Sequence, residues 1–178
     1  MKKEMSGKEK YNRGADLDRI DFGNFPKMIA GHPVIAEKSE EELGFTDNIA
    51  WKRSPDGSAI YLPEPVLLGS NEFRTSFVFE EHGLAGLYFE MLPVNRFDRE
   101  LAKKQDKIIT KLLFEQVGRP DEDMGISWGF YTDFGVAVHF PYTGFGENSV
   151  EKAGSITIGA WETRIRDTLR MLEFLHSN

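Results

Sequence analysis

Phe73-Arg74-Thr75-Ser76-Phe77-Val78-Phe79-Glu80-Glu81-His82-Gly83-Leu84-Ala85-Gly86-Leu87-Tyr88-Phe89-Glu90-Met91-Leu92 decides the fold. Its first and last thirds alternate at a period of two, the repeat of a strand with one buried face. The acidic Glu80-Glu81-His82-Gly83 stretch between them is a turn, with glycine free to take positive φ. A hairpin follows. One face would carry Phe77, Phe79, Leu87, Phe89 and Met91, and the other Arg74, Ser76, Val78, Tyr88 and Glu90.

Upstream, Ser54-Pro55-Asp56-Gly57 predicts a second turn, between strands at 49–53 and 58–62. Ser39 with Glu42 has capping-box spacing, and Gly44 ends that short helical turn. Residues 18–44 otherwise look irregular, and 1–17 form a flexible polar segment with almost nothing to bury. The expected organisation is therefore a tail over 1–17 and one domain over 18–178.

Downstream, a long helix is expected, capped by Asn95 and stopped at Gly118-Arg119-Pro120. Its apolar face would carry Leu101, Ile108, Ile109, Leu112 and Leu113, with the earlier Phe97. Strands over 126–131, 136–140 and 155–160 follow, with an inward set of Ile126, Trp128, Phe130, Val136, Val138, Phe140, Ile156 and Ile158. A last helix over 161–175 would bury Ile165, Leu169, Leu172 and Leu175. Strands, helix, strands, helix is the order of an α+β fold. The expectation is a mainly antiparallel sheet of about six or seven strands with two amphipathic helices packed on one face.

Composition bounds the function. The 178 residues include no cysteine, which excludes disulfides, thiolate metal sites and cysteine nucleophiles. The chain has a net charge of −7, and residues 21–100 carry 7 basic side chains against 14 acidic ones. An acidic body lacks the electrostatic footprint for nucleic acid, so no nucleic-acid partner is expected. No apolar run reaches membrane-spanning length and no signal-peptide pattern opens the chain, so no membrane partner and a cytoplasmic location are expected.

Catalytic motifs are missing. Gly144-Phe145-Gly146 lies between strands and lacks the strand-to-helix context of a phosphate loop. Asp121-Glu122-Asp123 lacks the spaced oxygen ligands of a calcium loop and reads as a solvated turn. No cofactor, metal site or catalytic residue is assigned. Among the four histidines His139 stands out, because strand alternation would send it to the outward face with Ala137, Tyr131 and Thr157. That face, if uncovered, would present Arg74, Tyr88, Glu90, Tyr131, His139 and Thr157 as binding residues. Small residues there leave room for a partner, and tyrosines give contact area at low entropic cost.

The expected function is a non-enzymatic protein-interaction module that binds another protein through the open sheet face. A small acidic bacterial immunity or inhibitor-type protein is one concrete version, resting on size, charge and architecture alone. The alternative is a small hydrolase or ligand-binding enzyme using His139, with Tyr131 or Glu90, in a cleft on the sheet. The competing reading of that face is that residues 18–62 fold over it, and the sequence sets no oligomeric state.

Overall fold

The computed structural model describes residues 17–45 and 52–177. The expected tail lies outside these residues except for Leu17, as does the strand start at Ile49 and Trp51. Twelve strands and three helices run along the described chain. The strands are β1 (Arg19–Ile20), β2 (Met28–Ile29), β3 (His32–Pro33), β4 (Lys52–Arg53), β5 (Ala59–Tyr61), β6 (Val66–Leu68), β7 (Asn71–Glu80) and β8 (Gly83–Met91). Helix α1 (Arg99–Val117) leads to β9 (Glu122–Asp123), β10 (Trp128–Tyr131) and β11 (Gly135–His139). Helix α2 (Glu147–Lys152), β12 (Ser155–Ala160) and α3 (Trp161–His176) complete the chain.

Ten strands form one mixed sheet in the order β1-β6-β7-β8-β12-β11-β10-β9, with β5 beside β7 and β4 beside β5. Strands β2 and β3 pair separately. The α+β class holds, but the sheet is larger than the six or seven strands expected. It is also not wholly antiparallel, because β1 runs parallel to β6. Two-residue strands such as β1 and β9 have too few positions for any period to show.

The decisive hairpin forms as read, around Glu81 and His82, with Phe77 opposite Leu87 and Thr75 opposite Phe89. Gly83 has φ 107°, and a side chain there would run into the Glu37–Lys38 backbone. Phe77, Leu87 and Phe89 are fully buried. Their face continues through Ile156 and Ile158 on β12 to His139 and Ala137 on β11, then to Trp128 and Phe130 on β10.

Two elements cover this core face. Helix α1 buries Ala102, Gln105, Ile109, Leu112 and Leu113, and its Phe114 meets Trp128 and Phe130 edge-on. Residues 18–45 contribute the rest. Phe22 packs edge-on to Phe89, Phe45 to Phe77, and Phe25 stacks on Phe134. The two-helix layer expected on this face is thus one helix and an irregular segment. Aromatic side chains supply large buried area without a regular backbone, so this covering left no periodic signal.

Local signals fared unevenly. Ser39 and Glu42 make the reciprocal capping hydrogen bonds, at 3.2 and 2.9 Å. Gly118 ends α1 with φ 88°. The cap of α1, however, is Asp98, which accepts from the Glu100 and Leu101 amides. Asn95 sits one turn earlier, accepting from the Asp98 amide and donating to the Val150 carbonyl. No described helix is long and apolar enough to cross a membrane.

Candidate functional site

The second face of the sheet is built from cross-strand rows. In one, Tyr61, Ser76, Tyr88, Thr157, Val138, Gly129 and Glu122 lie side by side across seven strands. Arg74 and Glu90 form a neighbouring pair and are joined by an ion pair, with the Arg74 guanidinium 4.7 Å above the Tyr61 ring. Burial raises the Tyr88 phenol above its ordinary pKa, and the Glu90 carboxylate adds to the shift. The row on the other side holds Val78, Gly86, Gly159, Val136 and Tyr131.

Of the six residues singled out from the sequence, five therefore share this face: Arg74, Tyr88, Glu90, Thr157 and Tyr131. The sixth does not. His139 points to the core, opposite Ile156 and Trp128, and is fully buried. Its Nδ1 donates to the Ser155 carbonyl at 3.0 Å, and Nε2 lies 2.8 Å from Asp106 Oδ1 on α1.

That correction applies to the whole strand. Val136, Val138 and Phe140 were expected inward, yet they occupy the open face with Thr157 and Tyr88. The alternation was read correctly and its phase was inverted. Small Ala137 and paired His139 suit the space beneath α1, because a buried polar group is tolerated where both its nitrogens find partners. Ile126 precedes β10 and is 70% exposed, so it belongs to neither face.

Inversion of β11 gives the open face an apolar floor. Val136, Val138, Phe140 and Gly159 lie at the bottom of a groove of about 590 Å³, within the range of ligand-binding clefts. Helix α3 forms its wall with Thr163, Arg164, Asp167, Thr168 and Met171, and Met124 closes the far side. A Cβ placed on Gly159 would meet nothing within 4 Å, so the groove reaches the backbone there.

Polar groups gather at one end. Glu122 is paired with Arg164 and accepts from the Tyr131 hydroxyl at 2.8 Å. The Arg164 guanidinium holds the Glu122 carboxyl below its ordinary range, aided by the Tyr131 hydrogen bond. The same carboxylate raises the Tyr131 phenol. Arg164 lies 5.8 Å from the Tyr131 ring centre and 5.9 Å from that of Trp161, whose indole donates to the Thr132 carbonyl. The result is an apolar trough ending in a fixed ion pair.

The sequence reading missed Glu122, Arg164, Gly159 and Met171. Glu122 had been set aside in a solvated acidic turn, whereas β9 aligns it with Gly129. No group of three His, Asp or Glu residues that could hold a metal occurs among the described residues. No protein-family model matches the chain, and the searches of curated proteins and of solved structures returned no match.

Proposed function

We propose that the protein is a non-enzymatic binding module that takes an apolar segment of another protein into the groove between α3 and the open sheet face. The observation that carries this reading is the groove floor. Val136, Val138, Phe140 and Gly159 are turned toward α3, which meets them with Thr163, Arg164, Asp167 and Thr168 and with one apolar side chain, Met171. An apolar floor under a largely polar wall is poorly satisfied by the chain itself and well satisfied by an inserted apolar side chain. Flexible Met124 and Met171 at the sides suit a partner of variable shape. The Glu122–Arg164–Tyr131 cluster offers acceptors and donors that would fix its orientation. The alternative of a hydrolase or ligand-binding enzyme working through His139 draws no support from that residue's buried position.

Selection of a phage-displayed random peptide library against the full chain tests the proposal. Apolar peptides are expected, and Gly159→Phe, which fills the trough, should remove their binding while leaving the thermal melt near that of the parent. Peptides that bind parent and variant equally, or a selection that yields none, would overturn it.

A further inference from the structure

Residues 18–45 do more than cover the core. Where they reach the start of α3 they border a second cavity, of about 300 Å³. None of the residues lining it lines the groove. Its aromatic part is rigid. Phe134 stacks on Phe25, with ring centres 5.7 Å apart. Trp161 is held twice, by its amide to the Phe134 carbonyl at 3.1 Å and by its indole to the Thr132 carbonyl at 2.9 Å. Val34, Ile35 and Ala36 add apolar surface, and Ile35 is 49% exposed.

Three charged side chains from three separate segments line the same cavity. They are Lys27 before β2, Asp133 in the β10–β11 turn and Glu162 in the first turn of α3. No ion pair or side-chain hydrogen bond joins any of the three to another described residue. Lys27 therefore sits beyond ion-pair reach of both carboxylates, although all three border one small space. Unspent charge of both signs beside fixed aromatic rings is what a zwitterion with an apolar body would need.

We infer that this cavity binds a free α-amino acid with an apolar side chain. The ligand's ammonium group meets Asp133 and Glu162, its carboxylate meets Lys27, and its side chain lies against Trp161 and Ile35. An ammonium beside an indole gains cation–π attraction as well. Charge rules out simpler occupants. A wholly apolar molecule would desolvate all three charges without pairing any of them. An inorganic anion would be repelled by two carboxylates, and a simple amine would leave Lys27 as a like charge. Size rules out larger ones, because the volume stands at the lower bound of ligand clefts and holds one amino acid rather than a nucleotide. The rings are already fixed, so binding orders little of the protein. This inference is independent of the groove and of what the groove takes.

Isothermal titration of the full chain with L-leucine and L-phenylalanine tests the inference. At least one should bind saturably, one molecule per chain. Glycine, with no side chain to bury, should bind about tenfold more weakly or worse. Leucinamide lacks the carboxylate and N-acetylleucine lacks the ammonium, and each should lose about fivefold or more. Lys27→Met should weaken leucine without weakening leucinamide, a split that a merely structural lysine would not produce. Asp133→Asn should weaken both. Lys27 and Asp133 are exposed, so the thermal melts of these variants should stay near that of the parent. Absence of saturable binding by either amino acid would overturn the proposal, as would variants that bind leucine as the parent does. Leucinamide bound as tightly as leucine would remove the role of Lys27 and with it the zwitterion. Leucylglycine, whose carboxylate is displaced by one residue, bound as tightly as leucine would assign the cavity to peptide termini instead.

Discussion

The imidazole of His139 and the carboxylate of Asp106 meet at 2.8 Å between β11 and α1, with the ring fully buried. The ring's other nitrogen is held by the Ser155 carbonyl, so this contact ties the helix layer to the two strands beneath it. Thr110, one turn along α1, stands 3.5 Å from the same carboxylate oxygen.

Loss of one partner should cost more than loss of both. Asp106→Ala leaves a buried ring nitrogen unpaired, a penalty of about 1–3 kcal/mol. Joining it to His139→Leu removes the orphaned group and should recover part of that loss. Urea melts of the parent, both single variants and the double variant measure the coupling. Additive losses would show that the pair does not act as a unit.

Thr75 lies on the same core face, opposite Phe89, with its hydroxyl buried and without a partner among the described residues. Thr75→Val keeps the shape and removes the unpaired group. Stability should rise by about 1 kcal/mol, read as a higher urea midpoint. A fall would mean that the hydroxyl has a partner, such as an ordered water.

Two glycines on the neighbouring strands β11 and β12, Gly135 opposite Ala160 and Gly159 opposite Val136, should respond oppositely. A Cβ on Gly135 would lie 1.7 Å from the Gly159 carbonyl oxygen, a clash with backbone that no rotamer relieves. Gly135→Ala should lose about 3 kcal/mol or more. Gly159→Ala enters open space and should gain up to about 1 kcal/mol by restricting the unfolded chain. Thermal melts of the two variants separate these outcomes.

Tyr131 donates to Glu122, and that bond raises the phenol above its ordinary value of 10.0. A raised folded value means that the bond's stabilisation is fully present below pH 10 and is lost as pH climbs through the folded value. The stability difference between parent and Tyr131→Phe should therefore be flat near neutrality and shrink in alkali. Absorbance titration should show one phenol returning toward the ordinary value in Glu122→Gln. An unchanged titration would place Tyr131 outside that hydrogen bond.

The hairpin at β7 and β8 was legible because its side chains alternate cleanly and its turn carries a glycine that only a turn explains. The α1 stop was legible for a similar reason, since Gly118 and Pro120 act through local backbone geometry. What escaped notice was set by contacts distant in sequence. On β11, Val136-Ala137-Val138-His139-Phe140 alternates equally well in either phase, and hydropathy favours the wrong one. The Asp106 partner that lets His139 face inward lies on another element. Similarly, α3 was expected to bury Ile165, Leu169, Leu172 and Leu175, and all four are exposed, because no sequence pattern says whether a stripe meets its own core or something else. Five of the six residues expected on the open face share it, because four of them belong to the well-read strands β7, β8 and β12 and Tyr131 alternates with the buried Phe130.

The strand order also bears on how the chain is made. Strand β8 is completed early in synthesis but sits at the centre of the finished sheet, and its second edge waits for β12. Helix α1, β9, β10, β11 and α2 must all leave the ribosome before that edge is paired. Meanwhile Gly83-Leu84-Ala85-Gly86-Leu87-Tyr88-Phe89-Glu90-Met91 presents a nine-residue strand edge with Glu90 as its one charge, the template on which nascent chains aggregate. Expression yield should consequently depend on what shields β8 during elongation, and truncation before Ser155 should yield insoluble protein.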